Sequence, residues 1–123
     1  MQTTAGLIAV VDDDAATRRS IGRLLSARGY RVSTFESAEE FLASELIDSA
    51  MGLVLDIHLG GMSGIELRRR LSAMKSKIPV VFITAHDDDA TRIQALTVGC
   101  VDCLQKPFVA DRLTEALERS MKS

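Results

Sequence analysis

The sequence predicts one doubly wound α/β domain, a five-stranded parallel sheet with helices on both faces. Three observations carry this prediction. Short apolar runs alternate with helical patterns along all 123 residues. Three of the runs, LIAVV (7–11), GLVLD (52–56) and PVVFIT (79–84), are nearly continuous in apolar residues, as strands buried on both faces must be. The segments between the runs carry helix start and stop signals, and a helix is the usual crossover between parallel strands.

Taken in order, LIAVV is the first strand. Asp14, directly before Ala15-Ala16-Thr17, is placed to cap the first helix, where Ile21, Leu24, Leu25 and Arg28 follow helical spacing and Gly29 can close the last turn in a left-handed conformation. RVSTF (31–35) is the second strand. Ser37 with Glu40 forms a capping-box pattern ahead of Phe41, Leu42 and Leu46. GLVLD is the third strand, and Ser63 with Glu66 repeats the capping pattern ahead of Leu67, Leu71 and Met74. After PVVFIT, Asp88 or Asp89 can cap a helix carrying Ile93 and Leu96 that ends near Gly99. VDCL (101–104) is the fifth strand, and Val109, Leu113, Ala116 and Leu117 mark the last helix.

Composition narrows the function classes. Hydrophobic residues make up 46% and charged residues 26%, the balance of a soluble globular domain. A net charge of −2 leaves no electrostatic footprint for nucleic acid, so direct binding to it is not expected. No apolar run approaches the length of a membrane span, and MQTTAG lacks the basic start and apolar stretch of a signal peptide. Two cysteines make no disulfide framework. These features lead us to expect a cytoplasmic protein.

Ligands of such sheets bind beyond the carboxyl ends of the strands, at the switch in strand order. The residues at those ends are therefore the candidate site. Strand one ends at Asp12 and Asp13, strand three at Asp56, strand four at Thr84, and strand five just before Lys106. Three acids, a hydroxyl and an ammonium are expected at one edge. Carboxylates crowded together raise one another's pKa unless a cation neutralises them. Mg²⁺ suits this set, because it takes one or two carboxylates, keeps several waters and leaves room for phosphate oxygens. Metal, ammonium and hydroxyl match the charge on a transferring phosphoryl group, and an aspartate can itself be the nucleophile. Asp56 stands alone on its strand before the glycine-rich HLGGMSG, which makes it the best-placed acceptor. Each member has a plainer explanation, since strand-end acids often only cap the next helix. Their coincidence at four strand ends outweighs those single explanations.

These residues resemble the receiver domain of two-component response regulators. The marks are VVDDD, Asp56 in LVLDIHLGGMSG, Thr84 in FITAHDD, and Lys106-Pro107 in LQKPF; FESAEEFL and GCVDCLQKPF are most similar to FixJ/NarL-type receivers. The resemblance covers nearly the whole chain. It implies a flavodoxin-like (βα)5 fold with strand order 2-1-3-4-5, residues 1–123 forming one receiver domain with no output domain in this chain. It implies that Asp56 accepts a phosphoryl group from a phosphohistidine on a sensor histidine kinase. Asp12, Asp13, Asp56 and the backbone carbonyl of His58 would hold Mg²⁺, and Lys106, with a cis peptide before Pro107, would contact the phosphoryl group. Thr84 would shift the face built by helix 4, strand 5 and helix 5, which would control a DNA-binding output domain or partner protein, or homodimerisation on phosphorylation. The chemistry would be self-directed phosphorylation and dephosphorylation, not turnover of a substrate.

Several positions depart from the family pattern. Gly60 stands where proline is common and is followed by Gly61, so the loop is expected to be more mobile than in proline-bearing relatives. Cys103 stands where an aromatic switch residue is common, which leaves the switch either to Thr84 and the backbone or weaker than in the family. His58 and His86, two residues beyond Asp56 and Thr84, occupy positions that tune phosphoryl lifetime in the family; otherwise they are two exposed polar loop residues, a zinc site being the weaker alternative. Cys100 and Cys103 form C-x-x-C, but near a strand, where positions three apart point to opposite faces, so they read as buried structural thiols. Asp87-Asp88-Asp89 reads as a solvated helix-start cluster. Two rival functions are a haloacid-dehalogenase-type phosphatase, with Asp12 as nucleophile and Asp14 as acid, and a receiver-like interaction module that is never phosphorylated.

Overall fold

Ten elements alternate strictly, in a computed structural model that describes residues 6–85 and 89–121. They are β1 (Leu7–Val11), α1 (Ala15–Ala27), β2 (Arg31–Phe35), α2 (Ala38–Ala43), β3 (Gly52–Asp56), α3 (Gly64–Ala73), β4 (Val80–Thr84), α4 (Asp89–Val98), β5 (Asp102–Gln105) and α5 (Ala110–Met121). The strands form one parallel sheet in the order β2-β1-β3-β4-β5. The three near-continuous apolar runs are thus the three interior strands, and every residue of β1, β3 and β4 is buried. Both edge strands are partly exposed.

Alternation along the strands splits the core into two layers. Ile8, Val10, Val54, Val81 and Ile83 face Ile21 and Leu25 of α1 and Leu113 and Leu117 of α5. Ala9, Val11, Leu53, Leu55 and Phe82 face Phe41 of α2, Leu67 and Leu71 of α3 and Ala95 of α4. Among the described residues, no helix is long and apolar enough to cross a membrane.

The caps follow the local chemistry expected of them. Asp14 accepts from the Thr17 N–H at 3.2 Å and from its hydroxyl at 2.6 Å. Ser37 accepts from Glu40 N–H and Ser63 from Glu66 N–H, each at 3.0 Å. The return bond of the first box goes to the Glu36 N–H, one residue before the cap. Gly29 closes α1 at φ +93°.

Five expectations are corrected. Helix α2 stops at Ala43, because Ser44 bonds back to the Phe41 carbonyl and Glu45 turns left-handed at φ 63°; Leu46 packs from the following loop instead. Met74 is the exposed C-cap of α3, not a core residue. Helix α4 buries Thr91 and Ala95 and leaves Ile93 61% and Leu96 63% exposed, so these two larger apolar residues sit on the face turned from the sheet. Val109 lies before α5 and is 67% exposed. Cys100 precedes β5, so strand alternation does not apply to it, and both cysteines pack into the same layer as free thiols.

Helix α3 starts directly against the exit of β3. A Cβ on Gly64 would lie 2.3 Å from the Asp56 carbonyl oxygen, a backbone atom that has little freedom to yield, and the Gly64 N–H donates to the Ile57 carbonyl at 2.9 Å. Gly64→Ala is therefore expected to destabilise the fold by about 1–3 kcal/mol in thermal or urea melts. Gly60, where an added Cβ meets nothing within 4 Å, is the contrast. Gly60→Ala is expected to be neutral or stabilising by up to about 1 kcal/mol. Equal melting of the Gly64→Ala variant and the parent would contradict this account.

Candidate functional site

The carboxyl ends of β1, β3, β4 and β5 bring Asp12, Asp56, Thr84 and Lys106 to one edge, at the point where the strand order turns from β1 to β3. Asp12, Asp13 and Asp56 each present a carboxylate oxygen within 4.8 Å of the others, Asp12 and Asp56 buried and Asp13 exposed. The Lys106 ammonium lies 2.8 Å from Asp12 Oδ2 and 3.4 Å from Asp56 Oδ2. Asp12 Oδ1 accepts the Asp14 N–H at 2.9 Å, and Asp56 Oδ1 accepts the His58 N–H at 3.1 Å. Thr84 is buried, and its carbonyl accepts the Lys106 N–H at 2.7 Å. The Lys106-Pro107 peptide is cis.

The three acids of VVDDD are not equivalent. Asp12 is 0% exposed and paired with Lys106; Asp13 is at the open surface of the cluster; Asp14 is held by Thr17. Hydrogen bonds to Thr17 lower the Asp14 carboxyl below its ordinary value. An acid so held is poorly suited to donate a proton, which removes the role the phosphatase alternative gave it.

Burial pushes the Asp56 carboxyl above its ordinary value, and the neighbouring Asp12 charge adds to this, while Lys106 and the His58 N–H pull the other way. For Lys106, burial works against the charge, but the hydrogen bond to Asp12 and the Asp56 and Asp12 charges prevail and raise its pKa. The ammonium is thus the only cation seen among the described residues within this acidic cluster, and it is shared between two carboxylates. The donor set fits a hard divalent cation: three carboxylates with oxygens already close, one of them open to solvent for retained waters.

Contacts invisible in the sequence brace this edge. Arg18 Nη1 donates to the Asp12 carbonyl at 2.7 Å, and its Nη2 lies 3.6 Å from Glu36. Glu39 accepts the Met62 N–H at 3.0 Å. No spacing rule announces these pairs, which join residues from different elements. Beside Lys106, a cleft of about 740 Å³ opens between α1 and the β5–α5 connection, lined by Thr17, Ile21, Leu24, Lys106, Pro107 and Phe108.

His58 is exposed, and its backbone N–H donates to Asp56. His86, Asp87 and Asp88 lie outside the described residues. Cys103 is buried and pairs in register with Phe82, on the same sheet face as Thr84 by strand alternation. Burial, then the nearby Cys103 thiol, push the Cys100 thiol up to about 11, which makes thiolate chemistry there unfavourable.

Comparison with known proteins agrees with this geometry. The family model described as the response regulator receiver domain matches residues 8–118. Transcriptional regulatory protein FixJ of Bradyrhizobium diazoefficiens is 40% identical over 121 residues, covering 98% of this chain and 58% of that protein. Nodulation protein W of the same bacterium is 38% identical over 124 residues, covering 98% of this chain and 55% of that protein. This chain therefore spans little more than half the length of those regulators. Among solved structures, the crystal structure of FixJ-N superposes with a TM-score of 0.87 at 34% identity, covering 98% of this chain and 96% of that one. The BeF3-activated DrrB receiver domain superposes with a TM-score of 0.88 at 29% identity, covering 98% and 100%.

A carboxyl raised in the folded state contributes stability that is complete below its ordinary value of 3.8 and is lost as the pH rises through the raised value. Near neutral pH the fold therefore carries the cost of an ionised Asp56 beside Asp12. Asp56→Asn is expected to melt a few degrees higher than the parent at about pH 7 with chelator present, the difference shrinking as the pH falls toward about 4. A lower melting temperature for the variant at neutral pH would contradict the assignment.

Proposed function

The chain belongs to the response regulator receiver domain family, and from that premise we propose that Asp56 accepts a phosphoryl group from a phosphohistidine of a sensor histidine kinase. One observation carries the proposal: Asp56 ends an interior strand with one carboxylate oxygen on the His58 N–H and the other near the Lys106 ammonium, in a cluster with two further acids. In the transfer, an Asp56 oxygen attacks phosphorus, the phosphorus–nitrogen bond breaks, and the imidazole leaves with its electron pair. Lys106, already between Asp12 and Asp56, turns to a phosphoryl oxygen as the charge develops there. The Thr84 hydroxyl takes another.

Asp12, Asp13, Asp56 and the His58 carbonyl would hold Mg²⁺. Bound there, the ion would neutralise charge on the acids and on the phosphoryl oxygens. Water attack on the same phosphorus reverses the state, so the chemistry is that of a self-modifying switch and not of a turnover enzyme. The His58 and His86 side chains are proposed to govern the access of that water. The cleft beside Lys106 offers the donor a route to the acceptor from the α1 side.

The signal is proposed to leave through α4, β5 and α5. With a cysteine at position 103, no aromatic ring rotates there. The path runs instead through Thr84, whose carbonyl holds the Lys106 N–H, and through the sheet face it shares with Phe82 and Cys103. The exposed Ile93, Leu96 and Val109 give that side an apolar surface for a DNA-binding output domain, a partner protein or a second copy.

Labelling with acetyl phosphate and Mg²⁺ tests the reading. The parent should gain one acid-stable, base-labile phosphoryl group, which Asp56→Asn should lose. Lys106→Ala should label at least about tenfold more slowly, in line with removal of one charged partner of the transferring group. Retention of label in Asp56→Asn would overturn the assignment. For the histidines, His58→Ala and His86→Ala should each change the dephosphorylation rate between about pH 6 and 8, the range around an ordinary histidine pKa. Unchanged rates across that range would leave them as solvated loop residues.

A further inference from the structure

We propose that Glu39, at the start of α2, is a positioning residue for the acceptor site: its carboxylate clasps the β3–α3 loop through the Met62 N–H and holds the segment that carries His58 in shape. This rests on the reading of Asp56 as phosphoryl acceptor. The loop between Asp56 and the Ser63 cap contains Gly60 and Gly61 in sequence, the two residues with the most conformational freedom to lose. Its inner end is tied at the site, His58 N–H to Asp56 and Gly64 N–H to the Ile57 carbonyl. Among the described residues, Met62 N–H is the one backbone donor between Leu59 and Met62 with a hydrogen-bond acceptor, and that acceptor is Glu39 Oε2 at 3.0 Å.

Gly61 makes this clasp sterically possible. It adopts φ +73°, and a Cβ there would lie 2.8 Å from Glu39 Oε2, so a side chain would strain the turn and displace the carboxylate together. The bond from the Met62 N–H is the largest cause that holds the Glu39 carboxyl below its ordinary value. It is therefore ionised near neutral pH, and the bond to Met62 is charge-assisted.

The neighbouring acids give the clasp a rigid base. Glu40 Oε1 accepts the Glu36 N–H at 2.9 Å and Ser37 caps the helix, while Glu36 faces Arg18, which donates to the Asp12 carbonyl. The β2–α2 corner thus touches both strand exits that supply the acid cluster, β1 through Glu36 and Arg18, and β3 through Glu39.

The test compares Glu39→Ala with Glu39→Gln, whose amide oxygen can still accept from Met62. Three measurements are made: Met62 amide exchange, Mg²⁺ titration without phosphodonor, and acetyl phosphate labelling as a function of Mg²⁺. Glu39→Ala should speed Met62 exchange and raise the half-saturating Mg²⁺ concentration about threefold to tenfold, as expected for one charge-assisted hydrogen bond, with the saturated labelling rate little changed. Glu39→Gln should restore most of both effects, and neither variant should lose the cooperative melt, since Glu39 fills no part of the core. Unchanged Met62 exchange and Mg²⁺ affinity in Glu39→Ala would overturn the proposal, as would a Glu39→Gln variant as impaired as Glu39→Ala. Absence of label in the parent would count against the acceptor reading instead, and the exchange and metal titrations would still decide the role of Glu39.

Discussion

Two carboxylates, Asp12 and Asp56, are buried side by side at the edge of the sheet, and the Lys106 ammonium between them offsets the cost. Like charges in a poorly solvated site cannot both stay ionised without a counter-charge. Lys106 provides it from 94 and 50 residues away along the chain. The rest of the architecture meets that requirement. Parallel strands of interior position deliver both acids to the same edge, and β5 must lie on that sheet for Lys106 to reach them. One monovalent cation shared by two acids, with a third acid at the rim, leaves the cluster electron-rich and receptive to a divalent ion.

The surroundings of this cluster divide into parts that hold still and parts that can move. Asp56 is clamped by the His58 N–H, and the strand exit is pressed by Gly64 of α3. Asp12 is held by the Asp14 N–H and, through its carbonyl, by Arg18. Thr84 and Lys106 share a backbone hydrogen bond across the β4–β5 edge, so movement of either strand end moves both groups. Helix α4 buries Thr91 and Ala95, with Val98 partly buried against the same layer. Small residues leave it less apolar area against the sheet than Leu67 and Leu71 give α3, and less area buried means less free energy opposing a shift. A proposed switch that acts on α4 thus acts on a helix with a shallow seat.

Much of this was legible in the sequence, and for identifiable reasons. Strand ends are marked where an apolar run meets an acid, as at Val11-Asp12 and Leu55-Asp56, because both the burial pattern and the change in polarity are local. Caps are local as well, so Asp14, Ser37 and Ser63 could be assigned to helix starts from spacing alone. The misreadings have a common cause. Periodicity says which residues share a face of a helix but not which face meets the sheet. In α4, Thr91 and Ala95 are buried while Ile93 and Leu96 are exposed. Likewise Leu46 continues the spacing of α2, but Ser44 and Glu45 end the helix before it.

What the sequence by itself determined is the order of elements, the wholly buried character of three strands, and the set of residues at their carboxyl ends. These follow from hydrophobic patterning and from side-chain chemistry within a few residues. Only the tertiary structure decided that Lys106 lies nearer Asp12 than Asp56, that Arg18 and Glu39 brace the two strand exits, that both cysteines share one core layer, and that α4 turns its larger apolar residues outward. Each of these depends on the distance between atoms remote in the chain. That distance is set by how layers pack, and no local pattern of residues encodes it.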